Sequence, residues 1–158
     1  MRLTSLSDLN CSIARTLDVV GEWWTLLIIR DAFRGTRRFD EFQENLGMAR
    51  SVLTARLRKL TDEGVLSRTE YSAHPPRYEY RLTEKGRALF PVIAALMQWG
   101  DTWAQGPGGP PTVIVHDTCG QVIAPILTCP HCRGDVTTAN THSEPGPGAI
   151  QKATAKAS

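Results

Sequence analysis

The segment MARSVLTARLRKL, residues 48–60, constrains the fold more than any other stretch of this chain. It carries four basic side chains and no acidic ones, and its leucines recur at helical spacing. At about 100° per residue, Leu53, Leu57 and Leu60 fall on one side, which predicts a helix over 49–63 with that side buried. The opposite side is small, hydroxylated or basic, so this helix has a cationic face to present to a partner.

Helical periodicity, capping residues and glycine stops predict the elements around this helix. Ser7 or Asp8 is expected to cap a first helix that runs to Val20. Two β-rich runs separated by SAHPPR predict a hairpin whose loop is longer than a tight turn. The remaining predictions are helices over 23–33, 39–46 and 84–104, the last capped by Thr83, and hairpin strands over 65–71 and 78–83.

The short helix before Gly47 and the basic helix after it form a helix-turn-helix pattern. Hydroxyl groups early in such a helix can hydrogen-bond base edges, arginine can bond guanine with two N–H groups, and other basic side chains hold phosphates. The hairpin that follows would add a second contact to duplex DNA, and binding would weaken steeply with salt. The expected base contacts are Ser51, Thr54 and Arg58, and the expected phosphate contacts are Arg50, Lys59 and Arg77, with His74 at the hairpin tip.

A charged helix face has a second interpretation, because solvated faces of globular domains usually carry Arg and Lys. The net charge of +2 does not by itself argue for nucleic acid. The hairpin directly after the basic helix favours DNA binding over this alternative. A protein-interaction adaptor, with a winged helix that has lost DNA binding and a C-terminal module that docks a partner, is the alternative from another functional class.

Three consecutive stretches carry a family resemblance: CSIARTLDVVGEWWTLLIIRDAFRGTRRFDEF, SVLTARLRKLTDEGVLSRTEY and PPRYEYRLTEKGRAL. Together with the Trp-containing helix that follows, they resemble the HxlR-type (MarR-like) winged helix regulators of bacteria across residues 11–104. The resemblance implies a dimeric DNA-binding transcriptional regulator, often a repressor that acts at or near its own promoter. One position departs from the pattern, since Glu22 stands where the family usually has lysine, so a phosphate contact there is in doubt.

The resemblance also implies a dimer interface on the first and last helices. Half-sites read by a two-fold dimer are the usual geometry for such motifs, which favours this interpretation. The alternative is that the same apolar side chains only complete the core of the monomer. The expected interface residues are Leu9, Ile13 and Leu17 from the first helix and Leu96, Trp99 and Trp103 from the last.

Cys11 lies where redox-sensing members of the family that this sequence resembles keep a reactive thiol. In those relatives, oxidation or electrophile attack alters the dimer and releases DNA. Arg15, one helical turn further on, would favour the thiolate. The alternative is a buried cysteine that packs as a small hydrophobic residue. An oxidant or a small molecule is therefore an expected effector, although no residue pattern specifies a small-molecule pocket.

Composition changes at GPGGPP, residues 106–111, which predicts a linker. The fold class expected for the whole chain is mainly α with a small β-hairpin wing, followed by a small zinc-ribbon-like β module. In this division, residues 1–105 form the winged helix domain and residues 112–138 form the module, with a first strand over 112–115. The small, polar residues 139–158 are expected to be disordered.

Two cysteine-bearing turns predict a structural zinc site in the C-terminal module. Cys129 and Cys132 are separated by two residues, and His116 and Cys119 repeat that gap upstream. Four such ligands suit tetrahedral Zn²⁺, which would stabilise a module that buries little. Other interpretations are a metal-free or redox-switching pair, His131 as a ligand in place of His116, and a thiol oxidoreductase. The last is disfavoured because only 26 residues follow Cys132, too few for the larger α/β domain such an enzyme requires.

The sequence also predicts a compartment. No run approaches 18 apolar residues, so no membrane span is expected, and the start of the chain lacks the apolar block of a secretory signal. The expected location is the cytoplasm, in association with the nucleoid. The sequence contains neither a phosphate-binding loop nor a serine–histidine pairing, the patterns that would indicate an enzyme.

Overall fold

The computed structural model describes Leu6 and residues 9–149, which divide into a first compact unit up to Met97 and a second from Gln98 onward. Strands pair antiparallel in two separate hairpins, β1 with β2 and β3 with β4. The elements are α1 (Ser12–Val20), α2 (Trp23–Phe33), α3 (Phe39–Leu46), α4 (Arg50–Asp62), β1 (Leu66–Ala73), β2 (Pro76–Leu82), α5 (Glu84–Arg87), α6 (Phe90–Trp103), β3 (Ile114–His116) and β4 (Gln121–Ile123). The predicted helical unit with one hairpin is confirmed.

The core of the first unit lies between α2, α3, α4 and the start of β1. Leu53, Leu57 and Leu60 are almost fully buried, which confirms the predicted inner face of α4. Phe42 from α3 and Ile28 from α2 are likewise buried in this cluster. The core therefore fixes which face of α4 is turned outward.

A glycine in the left-handed conformation connects α3 to α4. Gly47 has φ +61°, a value that residues with a side chain rarely adopt, and its N–H donates to the carbonyl of Gln43. Met48, next in the chain, is buried in the core cluster. At the start of α3, the Glu41 carboxylate accepts hydrogen bonds from the N–H groups of Arg37 and Arg38 at 3.1 and 3.0 Å. This turn completes the predicted helix-turn-helix.

The first helix begins later than predicted. It starts at Ser12 with Cys11 as the N-cap residue, and the predicted caps Ser7 and Asp8 lie outside the described residues. The N–H of Leu6 donates to the Asp18 carboxylate of α1 at 3.0 Å. Leu9 lies in a bend before α1 and not on its face.

The hairpin turn is shorter than predicted. Ala73 pairs with Pro76, so only His74 and Pro75, joined by a cis peptide bond, form the turn. Pairing continues through residues that the sequence pattern assigns to a loop, because the backbone ladder does not depend on alternating hydrophobicity. The register shifts between Glu70 and Ser72, which marks a β-bulge at Tyr71.

The predicted last helix is two helices. The Thr83 hydroxyl accepts a hydrogen bond from the N–H of Gly86, which confirms this residue as the cap of α5. The helix then breaks before Phe90 because Pro91 lacks the N–H that would donate to the carbonyl of Arg87. Even α6, with 14 residues, is too short to span a bilayer, and none of the described helices has the length and apolarity to do so.

The second unit has short strands and an open surface. β3 covers Ile114–His116, two residues later than the predicted start of this strand, because the paired residues begin only where Ile114 faces Ile123. None of the described residues after Met97 is buried. The expected tail is partly described, and Asn140 donates a side-chain hydrogen bond to the carbonyl of Asp135 at 2.8 Å. The predicted domain boundaries and the disorder of residues 139–158 stay predictions.

Candidate nucleic-acid interface

The outward face of α4 holds the predicted base-contacting residues. Ser51, Thr54 and Arg58 are exposed and border one open hollow on the surface of this helix. Their position follows from the burial of the leucine face, since residues three and four apart share one face of a helix and positions 51, 54 and 58 lie opposite the buried leucines. The structure therefore brings these three predicted residues together.

Local contacts leave the guanidinium of Arg58 available to a partner. Its side chain is 83% exposed, and its Nε lies 3.7 Å from a carboxylate oxygen of Asp62, itself 70% exposed. An ion pair between two such exposed groups is weak and is readily exchanged for another anion. The Thr54 hydroxyl donates to the carbonyl of Arg50 at 2.8 Å, and its oxygen can still accept a hydrogen bond.

Arg50 is positioned by an aromatic ring of the preceding helix. Its guanidinium carbon lies 4.7 Å from the centroid of the Phe39 ring, within the range of a cation–π interaction. Arg50 is exposed, so its remaining N–H groups face solvent at the start of α4. This is the end of a recognition helix where phosphate contacts are expected.

Lys59 borders the same hollow, and a contact with α1 holds its ammonium group. Its ammonium donates a short hydrogen bond to the carbonyl of Asp18. The side chain thus joins α4 to α1, which the sequence pattern did not reveal because the two residues lie 41 positions apart. Its predicted phosphate contact stays a prediction, and an ammonium group retains two further donors.

The hairpin tip carries the other two predicted residues. His74 forms half of the two-residue turn, and Arg77 follows on β2 opposite Ser72. Both side chains are exposed. The hairpin therefore presents one cation and one imidazole at its end, as predicted for a wing.

An arginine pair before α3 forms contacts with the hairpin that sequence reasoning missed. The N–H of Tyr80 donates to the carbonyl of Arg37 at 2.7 Å, and Arg38 forms an isolated bridge with Glu79. The Arg38 guanidinium also lies 4.8 Å from the centroid of the Tyr71 ring, at the bulge. Both arginines are exposed. The only sequence signal for them is the basic dipeptide itself.

Glu79 is the acidic centre of the hairpin base. A hydrogen bond from Arg81 at 2.9 Å is the largest cause that holds the pKa of this carboxyl below its ordinary value, and Arg38 at 3.5 Å contributes. The carboxylate therefore stays charged and occupies two arginines. Arg68 stacks separately, 3.6 Å from the centroid of the Tyr78 ring.

Glu22, the departure from the family pattern, forms an ion pair with α4. Its carboxylate lies 3.0 Å from the guanidinium of Arg56, whose side chain is 25% exposed. A lysine at this position would face Arg56 with a like charge. The residue thus connects the start of α2 with α4, and it offers no cation to a phosphate.

Two exposed apolar faces carry most of the predicted dimer residues. On α1, Ile13 and Leu17 are exposed while Ala14 and Val20 are buried. On α6, the predicted interface side chains are exposed: Leu96 by 50%, Trp99 by 62% and Trp103 by 75%. The exposure of these side chains contradicts the alternative that they only complete the core of a single chain. Leu9 is also exposed, in the bend before α1.

Cys11 lies at the N-terminal end of α1 and is exposed. The alternative of a buried, packed cysteine is therefore wrong. Arg15 lies one turn along the helix, as expected, but its guanidinium donates to the hydroxyl of Ser12 at 3.1 Å. The thiol is accessible to an oxidant from solvent.

The predicted zinc ligands lie in two pairs. The Nδ1 atom of His116 lies 3.3 Å from Sγ of Cys119. Hydrogen bonds from the N–H groups of Cys132 and His131, and from the Cys132 side chain, lower the pKa of the Cys129 thiol. Within the described ranges, no three His, Cys, Asp or Glu side chains lie close enough together to hold a metal ion. The four-ligand site stays a prediction.

Comparison with known proteins places these features in a family context. The model of the HxlR-like helix-turn-helix family matches residues 19–107. An uncharacterized HTH-type transcriptional regulator of Mycobacterium tuberculosis strain H37Rv, Rv3095, is 51% identical over 137 residues, which are 87% of each chain. Only 18 residues precede the family match, which spans 89, so at least 30 of the aligned residues lie beyond residue 107.

Solved structures show the same similarity. The crystal structure of PA1607, a proposed transcription factor, has a TM-score of 0.78 and 38% identity, and covers 87% of this chain and 96% of its own. The redox regulator HypR in its reduced form has a TM-score of 0.55 and 34% identity, and covers 58% of this chain and 92% of its own. The similarity to PA1607 thus extends over more of this chain than the similarity to HypR.

Proposed function

This chain belongs to the HxlR-like helix-turn-helix family, and from that premise we propose that it is a homodimeric repressor that binds duplex DNA at two half-sites related by two-fold symmetry. The observation that carries this proposal is the outward face of α4. Its hydroxyl and guanidinium groups are exposed, while its leucines are held in the core. Such a helix can enter a major groove without a change in fold.

Charge placement supports a two-point contact with DNA. Arg50 and Arg58 lie at the start and middle of α4, and Arg77 lies beside the hairpin tip. Each is exposed, so a phosphate can replace the present contacts at little desolvation cost. Ser51, Thr54 and Arg58 are the proposed base-contacting residues, and the hairpin holds the adjacent backbone.

The exposed apolar faces of α1 and α6 support the homodimer. Side chains as large as Trp99 and Trp103 are rarely left this exposed on a monomeric protein unless they bind a partner. A second copy of the same chain would bury them in a symmetric interface, which also sets the spacing of two DNA half-sites.

Selection of DNA fragments with the full-length protein tests this function. The recovered fragments are expected to share two half-sites related by two-fold symmetry, with centres about 10 base pairs or a multiple of that distance apart. Affinity for the recovered site is expected to fall linearly, on logarithmic axes, as salt rises. A folded, dimeric protein that enriches no sequence would contradict the proposal and favour the adaptor.

Single variants separate base contacts from general electrostatics. Arg58→Ala is expected to weaken binding by about 1–3 kcal/mol and to relax the preference at one base position, whereas Arg50→Ala weakens binding to all sequences alike. Arg87→Ala is a matched control, because it removes one exposed positive charge outside α4 and the hairpin. Equal losses in all three variants would contradict the assigned roles.

A reporter assay tests the sign of regulation. With the recovered site placed across a promoter, the protein is expected to lower transcription, because a bound dimer excludes the polymerase. A rise in transcription that requires Arg58 would contradict repression while leaving DNA binding intact.

Cys11 is the proposed oxidant-responsive residue of this regulator. Its exposure at the end of α1, next to an exposed apolar face, supports this role, and a neighbouring structure is that of a redox regulator. Diamide is expected to weaken binding of the wild-type protein to its site, and Cys11→Ser is expected to abolish that response. Ser12→Ala, which changes the exposed neighbour of Cys11 and leaves every thiol in place, is the control that keeps it. If Cys11→Ser binds DNA and responds to diamide like wild type, this part of the proposal is wrong.

A further inference from the structure

The second unit contains two turns with the same backbone design, and we propose that they are the two halves of one structural Zn²⁺ site with His116, Cys119, Cys129 and Cys132 as ligands. Each turn holds two ligand side chains separated by two residues. The inference concerns the second unit alone and is independent of the proposed DNA binding.

Matching hydrogen bonds define the two turns. The N–H of Gly120 donates to the carbonyl of His116 at 2.8 Å, and the N–H of Arg133 donates to the carbonyl of Cys129 at 2.9 Å. In both cases the donor is the residue directly after the second ligand, and the acceptor belongs to the first ligand. The two ligand pairs are thus presented by the same four-residue arc of backbone.

The residue after each second cysteine adopts the same unusual conformation. Gly120 has φ +67° and Arg133 has φ +60°, and Arg133 is the only non-glycine residue of the described part with a positive φ. A side chain in this region is uncommon, so the turn around Cys132 keeps a geometry that arginine does not favour. The same geometry in both turns indicates that they have the same structural role.

Strand pairing frames both turns in the same way. His116 pairs with Gln121 at the end of the β3–β4 hairpin, and Thr128 forms an isolated bridge with Asp135 around the other turn. Each turn therefore closes a small antiparallel ladder, as a metal-binding knuckle does. The sequence predicted the ligand spacing, but the paired frame is visible only in the structure.

The described part of the second unit has no buried core. None of its described residues is buried, and Val122, Ile126 and Leu127 remain more than 60% exposed. A module of this size cannot hold a defined fold by burial alone, and a bound metal is one of the few devices that replaces a core. Zinc binding would then supply folding free energy directly.

The donor set indicates zinc and a structural role. Three thiolates and one imidazole suit a tetrahedral ion with soft ligands, and four protein ligands leave no position open for substrate or water. Each turn supplies one pair of ligands, so an ion with four protein ligands would join the two turns. This coupling makes both turns necessary for binding.

Metal analysis of the full-length protein tests the proposal. Protein purified with a non-thiol reductant, without added chelator, is expected to contain one zinc ion per chain. A thiol reagent is then expected to react rapidly with one of the four cysteines, Cys11, and with three more after a strong chelator is added. Zinc-free protein with four reactive thiols that does not take up added Zn²⁺ would overturn the proposal, and so would a disulfide between Cys129 and Cys132 that persists in reductant.

Substituted Co²⁺ identifies the ligands through its absorption spectrum. Cys119→Ser and Cys129→Ser are each expected to lose the tetrahedral cobalt spectrum, because each turn contributes half of the site. His116→Cys is expected to keep binding with a shifted thiolate charge-transfer band, which separates a change of ligand from a failure to fold. His131→Ala and Cys11→Ser are matched controls that retain the wild-type spectrum. Retention of the spectrum in Cys119→Ser, or its loss in His131→Ala, would overturn this ligand assignment.

Discussion

Thirteen hydrophobic side chains are buried among the described residues, and all thirteen lie in the first unit, whereas the described part of the second unit buries none. The first unit surrounds α4 with a core made from four helices and a hairpin. The described part of the second unit contains the end of α6, two three-residue strands and two hydrogen-bonded turns. One chain therefore contains a region held by packing and a region held by local backbone geometry.

This difference shows where each region tolerates change. In the first unit, the leucine face of α4 is fixed by the core, whereas its outward face is exposed and can be altered without loss of the fold. In the second unit, the apolar side chains are exposed and replaceable, while the turn residues around Cys119 and Cys132 determine the structure.

The largest expected effect on stability comes from creating a cavity in the core of the first unit. Phe42→Ala is expected to lower the free energy of unfolding by about 3–5 kcal/mol, because the ring is fully buried. Leu127→Ala in the second unit, where the side chain is 75% exposed, is expected to change it by less than about 0.5 kcal/mol. Urea denaturation followed by circular dichroism measures both variants. Similar losses of stability in the two would contradict the difference between the two units.

A glycine in close contact with backbone sharpens the same contrast. A Cβ on Gly86 would lie 2.2 Å from the carbonyl oxygen of Val65, so Gly86→Ala is expected to cost about 1–3 kcal/mol through forced displacement. Gly106→Ala, in the second unit, has no atom within 4 Å of its new Cβ and is expected to be neutral. Thermal unfolding distinguishes the two, and a neutral Gly86→Ala would mean that α5 is not packed against the backbone of Val65, directly before β1.

The ion pair between Glu22 and Arg56 contributes a smaller term within the first unit. A double-mutant cycle with Glu22→Gln and Arg56→Gln is expected to give a coupling free energy of about 0.2–1 kcal/mol that decreases with salt, since both groups are partly exposed. The Nε of Arg56 is buried without a hydrogen-bond partner. The change in stability of Arg56→Gln alone therefore includes more than the free energy of the ion pair. A coupling that salt does not weaken would contradict a partly solvated pair.

The smallest expected effect depends on pH. Hydrogen bonds from the N–H groups of Arg37 and Arg38 lower the pKa of Glu41 below its ordinary value of 4.5. The stabilisation from this carboxylate is therefore fully present above the unfolded-state pKa, and it is lost as the pH falls through the lower, folded-state pKa. The stability difference between wild type and Glu41→Gln is expected to shrink over that range in urea titrations. A stability difference that grows as the pH falls would contradict a lowered pKa of Glu41 in the folded state.

Local patterns predicted the elements whose signals lie within the sequence of one element. The leucine spacing of α4, the glycine after α3 and the Thr83 cap each act through neighbours within four residues, and the structure agrees with all three predictions. The division between α5 and α6 was also readable, since Pro91 lies at the break, but the apolar periodicity across it favoured a single helix.

Contacts between distant residues could not be predicted in this way. Leu6 bonds Asp18, Lys59 bonds the carbonyl of Asp18, and Arg38 stacks on Tyr71, all across separations that no local rule covers. These contacts decide which basic side chains of the candidate interface face outward. The sequence therefore predicted the face of α4 well and the individual availability of its cations less well.

The stacking of Arg50 on Phe39 has a consequence for the thermodynamics of recognition. An arginine side chain that is free in solution loses rotamer entropy when it docks on a phosphate, by roughly 0.5–1.5 kcal/mol for a side chain of this kind. Here the ring of Phe39 already restricts the guanidinium before DNA arrives. Phe39→Leu would keep the charge but release the Arg50 side chain. The proposed contact of Arg50 with DNA would then cost more entropy, and calorimetry of DNA binding would show a less favourable entropy.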